Sequence, residues 1–249
     1  MDINRIEAKL TSATLSRHDL EEPGLALWAR PLRRLALRLG FEGTPFAVNG
    51  ILRRRFTVRR HKLWEYARGA AGAFSCEGGA PRRVLDFGGG ATLPIFFFAS
   101  RGVEVLCLDV DGTLVDWTNQ VAAKRKWPLR ATTYDLVESA PPPDWPPFDA
   151  VISASVLEHI PKTAQARVVQ RLASLLRPGG VMAISFDFGA GAPQPGAIRE
   201  AAEVERLVAA SGLIYLDGHA FQDTGERFVL DKRHPGARFT FGSLFLRKN

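Results

Sequence analysis

The sequence predicts an α/β fold built on a mostly parallel sheet with helices on both faces. Two observations carry the prediction. From residue 83 onward, short apolar runs alternate with stretches of helical periodicity. Several runs also end on glycines or an acid: 84–87 on Gly88-Gly89-Gly90, 103–108 on Asp109, and 130–134 on Asp135. Strands that alternate with helices pair in parallel, because each crossover helix carries the chain back to the same end of the sheet.

Each element follows in order. Residues 1–75 read as helical pieces broken by Pro23-Gly24, Pro31, Gly40 and Gly43-Thr44-Pro45. Within them Leu32, Leu35, Ala36 and Leu39 fall on one helical face, with Arg33, Arg34 and Arg38 opposite. Arg53-Arg54-Arg55 and Arg59-Arg60-His61-Lys62 flank Phe56, and Trp64 and Tyr66 follow. Gly78-Gly79-Ala80-Pro81 marks a boundary, which divides an N-terminal helical segment, 1–78, from a core, 79–249. The core then reads strand 83–87, helix 93–101, strand 103–108, helix 114–126 and a weak strand 130–134. A Pro-rich loop, 141–147, leads to strand 148–153. Helix 163–176 stops at Pro178-Gly179-Gly180, followed by strand 181–185, helix 198–210, and strands 213–216 and 238–246.

Composition narrows the class. Hydrophobic residues are 46% and charged residues 24% of the 249, a globular balance that excludes a wholly disordered chain. The formal charge of +7 invites a polyanion partner. Its distribution qualifies that inference. Residues 1–80 hold 14 basic and 8 acidic residues, and the remainder holds 19 and 18. Cys76 and Cys107 have neither metal-ligand spacing nor the density of a disulfide framework, so no metal and a reducing compartment are expected. The start is too polar for a signal peptide, and the apolar stretches are too short for a bilayer; the expected location is the cytoplasm.

The chemistry concentrates where strands end, since ligands of doubly wound sheets bind at that edge. Glycine at 88–90 lets backbone approach a ligand that a side chain would repel. Asp109 lies 23 residues after Asp86, close to the spacing at which a carboxylate meets ribose hydroxyls. Leu93 stands where a dinucleotide fingerprint would place its third glycine.

Over residues 82–185 this order resembles the class I S-adenosylmethionine-dependent methyltransferases. Val84-Leu85-Asp86-Phe87-Gly88-Gly89-Gly90 is similar to the family's first motif, with Thr92 where a further glycine is common. The stretch 148–153 followed by Val156-Leu157-Glu158-His159-Ile160 resembles its fourth motif, and Leu175–Val181 the hairpin into strand five. The resemblance implies a Rossmann-like class I methyltransferase fold with a seven-stranded, mostly parallel sheet. It implies S-adenosylmethionine as cofactor and methyl transfer to O or N of a small molecule. Asp86, Phe87, Gly88, Gly89, Gly90, Asp109, Val110, Asp135, Leu136 and Ser153 would then hold the cofactor. His159 is the first candidate base and Asp187 the second. Trp64 and Tyr66, from the N-terminal segment, and His219 beside and His234 within the insertion 222–236, which also holds Asp231, are candidate acceptor contacts.

Two rival readings stay open. The basic run with its aromatics would suit RNA phosphates and bases, making the protein an RNA methyltransferase or binding module. An anionic small acceptor would use the same run. Asp109-Val110-Asp111-Gly112-Thr113 also matches the motif of haloacid dehalogenase-type phosphatases, where two acids flank magnesium. No adjacent acidic pair follows it to complete that site.

Overall fold

The computed structural model describes residues 10–230 and 235–249. Its elements run β1 (Ala13–Thr14), α1 (Pro23–Phe41), β2 (Phe46–Val48), β3 (Ile51–Arg53), α2 (Arg60–Ala73), β4 (Arg83–Phe87), α3 (Leu93–Ala99) and β5 (Glu104–Asp109). They continue with α4 (Gly112–Arg125), β6 (Leu129–Thr133), β7 (Phe148–Ala154), α5 (Lys162–Ser174), β8 (Leu176–Phe188), α6 (Ala201–Ser211), β9 (Ile214–Tyr215) and β10 (Thr240–Arg247). The main sheet has the order β1-β10-β8-β7-β4-β5-β6, with β9 also paired to β10. The pairs among β4, β5, β6, β7 and β8 are parallel, and β10 runs antiparallel to β8. This is the mostly parallel, doubly covered sheet that the alternation predicts.

Strand periodicity divides the core in two. Along β4, Val84 faces the cluster that contains α1 to α4, while Leu85 and Phe87 face the cluster under α5 and α6. α2 lies so close to the sheet that a Cβ on Gly72 would stand 2.6 Å from the Ala183 Cβ. Residues on both sides of the expected boundary at 79 therefore share one hydrophobic cluster.

The N-terminal third departs most from expectation. Glu22 caps α1 by accepting from Gly24 N at 3.3 Å and Leu25 N at 3.1 Å. The helix runs straight through Pro31, which removes one intrahelical donor. Burial of Trp28, Leu32, Leu35 and Leu39 along one face holds it together. Residues 46–53 form the β2–β3 hairpin instead of a helical piece. Its turn, Asn49-Gly50, has φ of 52° and 68°, the left-handed pair that a two-residue hairpin turn needs. β8 begins before the Pro-Gly-Gly and carries it as an irregularity, with Phe148 paired to Leu176 and Ala150 to Val181. Among the described residues no helix is long and apolar enough to cross a membrane.

Candidate functional site

The C-terminal ends of the parallel strands open on a cleft of about 1310 Å³, which α2 and the segment after β3 also line. The glycines after β4 form one wall. Gly88 has φ +77°, and a Cβ there would stand 2.5 Å from Val156 Cγ2. A Cβ on Gly89 would collide with the Asp86 carboxylate at 2.0 Å, and one on Gly90 would meet Asp109 Oδ2 at 2.7 Å. Thr92 closes the turn by donating its hydroxyl to Gly89 O at 2.7 Å. Gly90→Ala is expected to displace Asp109 and weaken nucleotide-cofactor binding by about tenfold or more, as read by calorimetry, since it costs a charge-assisted bond. Unchanged affinity would show that the loop can shift.

Asp109 is the buried anchor of this wall. Its Oδ2 accepts from Gly90 N at 2.8 Å and its Oδ1 from Asp111 N at 3.0 Å. Asp111 instead caps α4, accepting from Thr113 N at 2.9 Å and Leu114 N at 3.3 Å. It is thus a helix cap and not one of a pair of acids turned on a metal. Between them Val110 stands 68% exposed on the cleft. Asp135 lines the cleft and accepts from Val137 N at 2.7 Å. Ser153 donates to Phe87 O at 2.9 Å. Leu136 is fully buried under the sheet, and Val137 takes the place beside the cleft that the sequence reading gave to Leu136.

Asp86 lies beneath the glycines. Burial pushes its carboxyl up to about 7; the Cys107 thiol and Gly89 N–H pull the other way, and Asp109 adds to the rise. A carboxyl raised above its unfolded value binds its proton more tightly in the folded state. The stabilisation is full below about pH 4 and disappears as pH rises through about 7. Asp86→Asn should flatten the pH dependence of denaturant unfolding across that window. An unchanged slope would assign the dependence to another group.

The α2 side of the cleft holds the residues that sequence reasoning missed. Lys62 and Glu65, one turn apart on α2, are 5% and 2% exposed and form an ion pair at 2.9 Å. Lys62 Nζ also donates to Ser155 Oγ at 2.6 Å, and Glu65 Oε2 accepts from Ser155 at 2.5 Å and Ser185 at 2.7 Å. Despite its burial, the Lys62 ammonium is held above its usual value by Glu65. Ser155 takes a left-handed φ of 56° to sit between them. Glu158 is buried beside this network; desolvation, with Asp187 adding to it, raises its carboxyl well above the usual range.

The predicted acceptor residues separate. His159, in the short 3-10 turn Leu157–His159, lines the cleft; partial burial, and then Lys62, keeps its imidazole below the usual value. Asp187 also lines it, within β8 and not after it. Tyr66 lines it, with its phenol pushed up to about 12 by burial. Trp64 does not: it is fully buried and donates Nε1–H to Asp19 at 2.6 Å. Helical geometry explains this, because Lys62, Glu65, Tyr66 and Gly69 share the cleft face and Trp64 points elsewhere. His219 is exposed away from the cleft, with Nδ1 2.8 Å from Asp217 O. Asp231 and His234 lie outside the described residues.

Comparison with known proteins gives the same region a family. Residues 84–180 match the family described as a methyltransferase domain. A ubiquinone biosynthesis O-methyltransferase from Alkalilimnicola ehrlichii is 35% identical over 109 residues, 42% of each chain. A tRNA 5-carboxymethoxyuridine methyltransferase from Escherichia coli K12 is 31% identical over 109 residues, 42% of this chain and 40% of that one. The match thus spans about two fifths of the length of these curated relatives. The solved structure of a [4+2]-cyclase, SpnF, superposes over 90% of this chain and 94% of its own, with a TM-score of 0.60 and 17% identity, which is a likeness of fold.

Proposed function

Since the chain belongs to the class I S-adenosylmethionine-dependent methyltransferase family, we propose that it transfers a methyl group to an oxygen or nitrogen of a small-molecule acceptor. The observation that carries this reading is one cleft with two unlike halves. Glycines, a buried acid and an exposed apolar residue line one half, and titratable groups line the other.

The residues present fit the cofactor. Each Asp109 oxygen accepts one backbone N–H and keeps a lone pair for a ribose hydroxyl. Val110, left open to the cleft, and Val137 would border the adenine, and Asp135 would face its edge. The loop 88–90 offers bare backbone to the methionine part. When bound, the cofactor supplies a methyl carbon on a cationic sulfur. The protein's share of the work is then to hold the acceptor atom in line with that carbon and exclude water.

On this reading His159, which lines the cleft, takes the acceptor's proton. With its imidazole held below its usual value, it is neutral near pH 7 and ready to accept. His159→Gln should lower kcat by about a hundredfold or more and remove the acidic limb of the pH profile. An acidic limb that persists would give the role to Asp187 or Glu158. Residues 1–78 supply the acceptor wall on this reading, through α2 and the hairpin. The two buried, free cysteines accord with a reducing cytoplasm.

The test is a transfer assay with methyl-labelled S-adenosylmethionine and two fractions of a cell extract, small metabolites and RNA. Label in the metabolite fraction is expected. Label in RNA alone would replace the acceptor class with the one named for the tRNA-modifying relative. Thermal stabilisation by NAD and not by S-adenosylhomocysteine would overturn the cofactor.

A further inference from the structure

Three arginines face the cleft with no carboxylate partner among the described residues. The odd-numbered residues Arg53, Arg55, Thr57 and Arg59 line it. Val58 lines it as well, whereas Arg54 and Phe56 turn away. Arg54 donates Nε–H to Gly40 O at 2.8 Å, and Phe56 packs against Gly40 and stacks edge-on with Phe41 at 5.3 Å. The anchoring of Arg54 and Phe56 on α1 therefore fixes which side chains point into the cleft, through the two-residue period of extended backbone.

The surrounding basic residues are already engaged. Arg60 pairs with Glu21 at 2.8 Å, Lys62 with Glu65 at 2.9 Å and Arg125 with Glu42 at 2.5 Å. Arg68 donates to the carbonyl of Thr11. Arg55 differs: one terminal nitrogen donates to Ile51 O at 3.2 Å, while its Nε is buried with no partner. Partial burial, with Arg53 and Arg59 adding to it, lowers its affinity for its proton. Crowded like charges with an unfilled donor fit a bound anion that completes them.

We propose that Arg53, Arg55 and Arg59 form the subsite for an anionic group, a carboxylate or phosphate, on the methyl acceptor. This rests on the reading of the cleft as a methyl-transfer site. A small acceptor fits better than a polynucleotide, because all three unpaired cations line the one cleft. The exposed Arg30, Arg33 and Arg34 of α1 do not line it.

The experiment titrates inorganic phosphate and citrate, at low ionic strength, into protein saturated with S-adenosylhomocysteine. It uses the wild type, Arg55→Gln, and the double variant Arg53→Gln/Arg59→Gln. At least one probe is expected to bind saturably to the wild type and to weaken by about tenfold or more in each variant, the loss of a charge-assisted bond. Affinity for S-adenosylhomocysteine should stay within about twofold, since none of the three touches the glycine wall. Variants that lose S-adenosylhomocysteine as severely as the probes would overturn the proposal and assign the arginines to the cofactor's own carboxylate. So would a wild type that binds neither probe. Tight binding of a short polyuridylate, lost in the variants and steeply salt-dependent, would overturn it in favour of RNA. A wild type that binds no S-adenosylhomocysteine would remove the methyl-transfer reading itself, a separate outcome.

Discussion

Replacing Asp109 with alanine is expected to weaken S-adenosylhomocysteine binding about a hundredfold or more. The carboxylate is 8% exposed and orders the wall by accepting from Gly90 and Asp111 N–H groups. Alanine would leave both donors unfilled, and each charge-assisted bond is worth about 1.5–3 kcal/mol. The ribose would lose its acceptor in the same step. Asp111→Asn is the matched control: asparagine caps a helix as well as aspartate, so affinity should stay within about twofold. Calorimetry with both variants decides the assignment. An Asp109→Ala protein of near-native affinity would displace Asp109 from the site. Magnesium-dependent phosphate release, lost in both variants, would restore the phosphatase reading.

The second large effect concerns stability. Lys62→Met should cost about 3–5 kcal/mol in urea unfolding, the range for stripping one partner from a buried ion pair. Glu65 would stay fully buried, its charge facing only the hydroxyls of Ser155 and Ser185. Adding Glu65→Gln to Lys62→Met should recover a large part of the loss, because the orphaned charge is removed with its partner. A loss below about 1 kcal/mol would place the pair with surface bridges and contradict its burial.

The glycine wall of the cleft was legible in the sequence because its residues are local. A strand, its terminal acid and the following glycines are consecutive, and the helix cap at Asp111 lies two residues past Asp109. The half lined by α2 is assembled across long distances. Glu65 meets Ser185 across 120 residues, so no window around the basic run reveals that Lys62 is buried. Read locally, Arg59-Arg60-His61-Lys62 is a solvated face. The fold instead turns Arg59 to the cleft and buries Lys62 in a pair with Glu65, while Arg60 stays at the surface with Glu21. Two signals were nevertheless present. Asn49-Gly50 between apolar residues is a hairpin turn, overlooked beside the arginines. Trp64 and Tyr66 are two apart on a helix, so they could not both face one ligand.

The hairpin does one more thing. Ala47 N donates to Ala91 O at 2.7 Å, joining β2 to the end of the glycine loop. The strand that carries Arg53 is thus tied, through a two-residue turn, to the backbone proposed to receive the cofactor. Occupancy at one end is expected to bias geometry at the other. By linkage, whatever affinity the first ligand lends the second is returned in equal measure. On that expectation the two ligands should be found to bind cooperatively, read by calorimetry with each in the presence and absence of the other.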